Sequence, residues 1–367
     1  MNIPIFNTYI DELSFQKVNN VLESTFLSEG KLVKDFENQL SSTLGIVNPV
    51  ALNSGTSALH LSLVLAGIGK GDEVIIPAQT FVATGLVVLQ QGATPVFADI
   101  DYSTGNICVE SIKVKISSRT KAIIPVHWGG YPCDLDEINN LAKEYNIKVI
   151  EDAAHALGAT YKNNVIGNVS DYTCFSFQAI KHLTTGDGGA ICIKDEKKYY
   201  ESFVSRWFGI DRLNSQLSNL GERIYDIESL GFKYHLNDYA AALGLANLAS
   251  FNDRMKKRLE IASYYTENLV ECDGITLFDY KKDRKSAYWL FGFHVEKRDE
   301  FISDLKEKGV TASVVHMGID HNSIFGGIDE GLINQRRFDN TQIHIPIHDG
   351  INVEKAEYIV DVIKKGW

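Results

Sequence analysis

Residues 175–190 read FSFQAIKHLTTGDGGA. Phe175, Ser176 and Phe177 have the aromatic, β-favouring character of a buried strand end, Gly186 to Gly189 mark a turn, and Ala190 to Ile193 start the next strand. Lys181 falls on the connection, where folds most often display their chemistry. Alone, a loop lysine is most simply a solvated side chain. Its meaning depends on what the rest of the chain brings to it.

Outward from this stretch, helical and strand patterns alternate. A helix is expected near 32–44, then PVALNSG at 49–55, a helix near 56–67, DEVIIP at 72–77, a helix near 79–91 and TPVFADI at 94–100. TKAIIPVH at 120–127, a helix near 134–145, IKVIEDAA at 147–154, YTCFSF at 172–177 and GGAICIK at 188–194 continue the series. Strands alternating with helices predict a mostly parallel sheet covered on both faces, and runs such as VIIP are continuously apolar, as doubly buried strands should be. A polar stretch at about 211–229 precedes a long helical pattern from about Asn237 to Val270. AYWLFGFHVE at 287–296, a helix near 298–308, GVTASVVH at 309–316 and a helix near 353–365 then suggest a small α+β unit. The expected division is a large domain over residues 1–245 and a smaller one over 246–367.

The chain has 367 residues, 44% hydrophobic and 23% charged, enough for a large core. Five cysteines without a C-x-x-C pair indicate neither a disulfide framework nor a zinc site, and fit a reducing cytoplasm. MNIPIFNTYIDEL at the start has no basic region followed by an apolar run, and no stretch is apolar for long enough to span a membrane. A net charge of −11 argues against a nucleic-acid partner.

In open α/β sheets ligands bind beyond the carboxyl ends of the strands. NSGTSAL at 53–59 places Gly55, Thr56 and Ser57 at a strand-to-helix junction, where backbone amides, hydroxyls and the helix dipole can hold a phosphate. The same residues also make an ordinary helix cap. VIEDAAHA at 149–156 ends an apolar strand in Glu151 and Asp152. A carboxylate there is costly unless it meets a cation. A protonated pyridine nitrogen would be one, a helix cap or an internal salt bridge another use for it.

A phosphate cradle, an aromatic side chain in QTFVAT at 79–84, a carboxylate and a lysine follow one another in the order a pyridoxal phosphate site requires. The sequence here resembles the DegT/DnrJ/EryC1/StrS family of nucleotide-sugar aminotransferases, fold-type I enzymes dependent on pyridoxal 5′-phosphate. The resemblance runs from LSEGKLVKDFE at 27–37 through GDEVIIPAQTFVAT, PVFADID, PVHWGGYPCD, VIEDAAHALGA and FSFQAIKHLTTGDGG, and on into RWFGIDR, GFKYHLNDYAAALGLANL and IHIPIH. It implies a mostly parallel seven-stranded sheet in the large domain. It makes Lys181 the Schiff-base lysine and proton carrier, and Asp152 the partner of the pyridine nitrogen. Gly55, Thr56, Ser57 and Ser176 would hold the phosphate, with Phe81 stacked on the ring and His155 beside it. Asn237 would reach the phosphate of a neighbouring subunit, so that a homodimer shares its sites. The apolar helix that begins there fits a subunit interface as well as it fits burial in its own domain. The reaction implied moves an amino group from L-glutamate to a nucleotide-linked keto-sugar, with pyridoxamine phosphate as the intermediate form of the cofactor.

A subgroup of the family carries histidine in place of the lysine and dehydrates its substrate. Here His182 follows Lys181, but the intervals from Ser176 and to Gly189 put lysine in the reactive slot. A non-enzymatic sensor of pyridoxal phosphate is a further alternative, whereas TGDGG lacks the spacing of a dinucleotide fingerprint and precedes a strand. VVHMGIDHNSIFGG at 314–327 departs from the family pattern: His316 and His321 remain as candidates to border the sugar nucleotide, while the tyrosine expected after the first histidine is Met317.

Overall fold

The computed structural model describes residues 2–212 and 214–367. Seven strands form the central sheet: β1 (Pro49–Leu52), β2 (Glu73–Pro77), β3 (Thr94–Ala98), β4 (Thr120–Ile123), β5 (Lys148–Asp152), β6 (Tyr172–Ser176) and β7 (Gly189–Ile193). Their spatial order is β1-β7-β6-β5-β4-β2-β3, and β7 alone runs against its neighbours β1 and β6. The sheet is therefore mostly parallel, as expected. The reversal follows from the glycine-rich turn, which is too short to cross over the sheet and so returns β7 as a hairpin partner of β6. The two faces bury separate apolar clusters, one holding Ile75, Ile123, Val149 and Phe175, the other Ile76, Ile124, Ile150 and Cys174. These alternate along each strand, as side chains on a pleated sheet must.

A second unit has its own core. Strands β8 (Ile275–Leu277), β9 (Phe291–Val295) and β10 (Gln342–Ile345) form an antiparallel sheet packed by Tyr265, Phe293, Phe301, Ile359 and Ile363. Ile3 packs into this second core and pairs with Val310, although it precedes the first unit in the chain.

The long helical pattern after residue 237 is two helices, Asp238–Ala249 and Phe251–Leu269. Ser250 breaks it, its hydroxyl tied to Asp11 (3.1 Å) and to the Tyr9 hydroxyl (3.2 Å) of the N-terminal segment. The first helix is apolar all round because its own chain covers it: Ala240, Ala241, Ala246 and Leu248 are buried, and it packs on the helices Leu13–Ser24 and Lys31–Leu44. Of the two uses the sequence left open for its apolar residues, burial within the chain is the one found. Asp238 at its start accepts hydrogen bonds from Gly30 N (2.9 Å) and Val33 N (3.1 Å), capping a helix whose own preceding residue, Gly30, has no side chain to do so. The polar stretch after 211 contains a short hairpin, Gln216–Leu217 with Arg223–Ile224, that leaves Leu217, Leu220 and Ile224 exposed, as is Leu230 beyond it.

Strand β1 lies at the sheet edge, where unpaired backbone groups need covering. Glu37 accepts from Ala51 N (2.9 Å), and Arg206 donates to Ala51 O (3.0 Å) while pairing with Glu37 at 2.5 Å and Glu29 at 2.6 Å. All three side chains are largely buried, so the pair closes the edge beside the strand that leads into the Asn53 to Ser57 loop. Replacing Arg206 with Met should strand Glu37 without its cation. A loss of about 3–5 kcal/mol is expected in chemical denaturation followed by circular dichroism.

Candidate active site

The carboxyl ends of β1, β2, β5 and β6 open into a cavity of about 430 Å³, lined by residues of both units. Lys181 enters it because of how the chain turns after β6. Phe177 N donates to Gly188 O (2.8 Å) and Thr185 N to Phe177 O (3.0 Å), closing the loop at its base. Within it, Lys181 N donates to Gln178 O (2.9 Å) and Ile180 N to Gln178 Oε1 (3.0 Å). Successive side chains then point opposite ways. Lys181 lines the cavity, whereas His182 is buried and its Nε2 donates to Ala287 O (2.9 Å).

The glycines of this stretch allow a close approach. A Cβ on Gly189 would lie 2.6 Å from Gly55 N and the Ser54 carbonyl, and one on Gly55 would lie 2.9 Å from Ser176 Cβ. The bare backbone thus brings the start of helix Gly55–Leu65 against the end of β6. Ser54, Gly55, Thr56 and Ser176 share one wall of the cavity. Ser57 does not: its hydroxyl donates to Asn53 Oδ1 (2.6 Å) and its amide to the Ser54 hydroxyl (3.0 Å), so it is spent in the helix cap. Ser54, the N-cap residue whose hydroxyl accepts from Ser57 N, lines the wall.

Asp152, at the end of β5, is buried on the cavity floor. Burial pushes its carboxyl up from the usual range, against the Thr84 hydroxyl at 2.8 Å, the Ala154 amide at 3.2 Å and the charge of Lys181. Burial likewise lowers Lys181 to about 7, with Asp152 opposing. His155 is held well below its ordinary value, first by burial and then by Lys181. Burial takes His316 down to about 4. Phe81 is half-exposed at the cavity mouth, its ring 5.2 Å from that of His316.

Two residues from the sequence reading lie elsewhere in this chain. Asn237 caps helix Asp238–Ala249 through Ala240 N (2.9 Å) and is not on the cavity wall. His321 sits beside Arg336 (3.2 Å) and 3.9 Å from Asp339, outside the cavity. Conversely, Thr84, Phe6 and Trp289 belong to the site and were not singled out. Thr84 lies within QTFVAT, and its i, i+4 partner Thr80, with hydroxyls 2.7 Å apart, was the available signal. Phe6 and Trp289 come from segments far away in sequence, and only folding brings them here.

This arrangement suits an enzyme that binds an anionic cofactor with a basic ring. The chain belongs to the DegT/DnrJ/EryC1/StrS aminotransferase family, whose model matches residues 8–364. Among its relatives is the GDP-perosamine synthase of Escherichia coli O157:H7, 34% identical over 310 residues, which cover 83% of this chain and 82% of that protein. Another is the UDP-4-amino-4-deoxy-L-arabinose–oxoglutarate aminotransferase of Shewanella sediminis, 32% identical over 99% of this chain and 97% of that protein. The crystal structure of the sugar aminotransferase CalS13 from Micromonospora echinospora superposes with a TM-score of 0.94 at 31% identity, covering 100% of both chains. The family depends on pyridoxal phosphate, and solved relatives include forms with pyridoxal and with pyridoxamine phosphate.

The residues present fit that cofactor. Asp152 is a desolvated carboxylate that a ring cation would satisfy, the first turn of helix Gly55–Leu65 offers the positive end of its dipole to a phosphate, and His155 Nδ1 is buried without a hydrogen-bond partner among the described residues.

The depressed lysine has a consequence for stability. A lysine of pKa about 7 in the folded apoprotein and about 10.4 unfolded binds its proton less well when folded, so it destabilises the apoprotein fully below pH 7 and not above about pH 10.4. Lys181→Met should therefore raise the apoprotein's melting temperature most at or below pH 7. In scanning calorimetry the difference should close as pH rises toward 10.

Proposed function

We propose that this enzyme transfers the amino group of L-glutamate to a nucleotide-linked keto-deoxysugar, in the biosynthesis of an amino sugar for an O-antigen, a capsule or a glycosylated natural product. The observation that carries the reading is the pairing of a buried Asp152 with a lysine near neutrality across one cavity. Relatives named for GDP- and UDP-linked amino sugars support the acceptor class, and one named for oxoglutarate supports glutamate as donor.

Bound pyridoxal phosphate supplies the electron sink that allows an amine to pass between two carbon skeletons. Ser54, Gly55, Thr56 and Ser176 would hold its phosphate, Phe81 and His155 would flank its ring, and Asp152 would keep negative charge against the ring nitrogen. Lys181 would hold the cofactor and would move a proton at the reacting carbon, for which a pKa near the working pH is best suited. Phe6, Trp289 and Val315 line the cavity with apolar surface that would limit water at the reacting carbon. His182, with its ring turned to Ala287 O, does not compete with Lys181 for the reactive position, which favours transamination over dehydration.

The same reading makes the enzyme a cytoplasmic homodimer with shared sites. Its cysteines are free. Phe15, Leu22 and Phe26 near the N-terminus, with Leu217, Leu220 and Leu230 in the segment after residue 211, are exposed apolar side chains that a partner subunit would cover. Asn237 would serve the phosphate of the partner subunit.

The direct test supplies a panel of nucleotide-linked keto-sugars with glutamate and identifies the product by mass. An aminated sugar with stoichiometric 2-oxoglutarate is expected, and no amination of any member would overturn the reading. Asp152→Asn should lower turnover about 100-fold or more while cofactor absorbance is retained. Finally, mixing an inactive Lys181→Ala chain with an inactive Asn237→Leu chain should restore activity, because a heterodimer holds one intact site. Analytical ultracentrifugation of a fully active monomer would exclude shared sites.

A further inference from the structure

Trp289 lies outside every motif by which the site was read, yet it touches the reactive lysine. Lys181 Nζ stands 3.6 Å from the centroid of its indole ring. The ring is 2% exposed and fixed from several directions. Its Nε1 donates to Ile180 O (2.9 Å), the residue just before the lysine. His155 stacks on it at 3.8 Å and 18°, and Phe6 at 5.1 Å and 22°. Behind it, Leu290 N and Ala287 N bond to the carbonyls of Gly129 and Gly130. The second unit therefore delivers a rigid aromatic face to the amine of the first.

We infer that Trp289 is a positioning residue for the reaction: its indole face is the resting place of the Lys181 ammonium whenever that amine is not covalently engaged. The inference rests on the reading of Lys181 as the lysine that binds the cofactor and carries the proton. Such a lysine needs a defined position after release, because a four-carbon stem with free rotors would scatter the proton carrier away from the reacting carbon. The negative face of an indole attracts a cation without binding it covalently, and it attracts the ammonium in preference to the neutral amine. The other groups facing Lys181 differ in kind. Asp152 favours its charge, Asp187 lies on the cavity wall, and His155, His182 and His316 are all held toward their neutral forms by burial. Trp289 is thus the neutral contributor that stabilises the protonated lysine at a fixed point, and it offsets part of the desolvation that lowers that lysine.

The test changes the ring electronically and leaves its shape. Full-length apoprotein, whose four tryptophans are replaced biosynthetically by 5-fluoro- or 5,7-difluorotryptophan, is acetylated by acetic anhydride at a series of pH values. Peptide mass spectrometry follows the Lys181 peptide alone, giving the pKa of that amine. Each fluorine weakens the negative face, so the pKa of Lys181 should fall stepwise from native to difluorinated protein, by about half a unit or more in total, with a matching rise of roughly threefold in acetylation rate below pH 7. A pKa that does not change across the series overturns the proposal, since a merely structural tryptophan is indifferent to ring charge. If the fluorinated chain does not fold, Trp289→Phe replaces it: a lower Lys181 pKa supports the proposal, and an unchanged or higher one overturns it. Borohydride reduction of the native holoenzyme separates the two levels of inference. Cofactor fixed to the Lys181 peptide, with a pKa insensitive to fluorine, removes the role of Trp289 alone. Cofactor fixed elsewhere removes the reading of Lys181, and the proposal with it.

Discussion

Desolvation of two opposite charges in one cavity governs the site. Asp152 at the end of β5 and Lys181 after β6 are both pushed toward their neutral forms by burial, and each resists the shift in the other. Left to themselves, two such groups are an expense to the fold, because neither is fully paired nor solvated. The surrounding architecture exists to hold them there. Parallel strands bring the carboxylate to the carboxyl end of the sheet's central strand, a hairpin that reverses β7 brings the lysine, and a second unit closes the cavity with Trp289 and His316.

Glycine placement makes this geometry possible. Gly55 and Gly189 permit the backbone of one strand-to-helix junction to touch the backbone of a neighbouring hairpin. The strand that leads into this junction, β1, is an edge strand with outward-facing backbone groups. The buried Glu37, Arg206 and Glu29 cluster meets those groups, and thereby steadies the strand that feeds the cofactor loop.

The structure also shows how the lysine-bearing loop is kept in one conformation. Its carbonyls and side chains are tied outward to three different elements: Ile180 O to Trp289, His182 O to Arg254 of helix Phe251–Leu269 (2.9 Å), and Thr184 O to Asn247 of helix Asp238–Ala249 (2.9 Å). A loop held at that many points has little freedom of its own, which is what a positioned acid-base group requires. On the far side of the cavity Val315 has a φ of 61°, a left-handed conformation that a β-branched residue adopts only under constraint. The carbonyl of the next residue, His316, accepts from the buried amides of Gln79 (3.1 Å) and Gln342 (2.9 Å), and these supply the constraint.

Sequence by itself determined the class of fold and the contiguous parts of the site. Alternating apolar runs and amphipathic stretches specify a parallel sheet because period and burial are local properties of the chain. Lys181, Asp152, Gly55 and Thr56 were legible as candidates because each sits at a strand end beside its own turn or helix start, and the family resemblance attached a role to each. What the sequence left open was decided by contacts between distant segments. Ser57 and Ser54 are three residues apart, and the fold turns the Ser57 hydroxyl to Asn53 while Ser54, whose hydroxyl caps the helix by accepting from Ser57 N, reaches the wall. The helix after Asn237 is apolar on all sides whether a partner or its own chain covers it, and packing against Leu13–Ser24 and Lys31–Leu44 decided which. Phe6 and Trp289 carry no local signal at all: an aromatic residue becomes part of a site only when tertiary structure brings its face to a charge, here across more than a hundred residues of chain from Lys181.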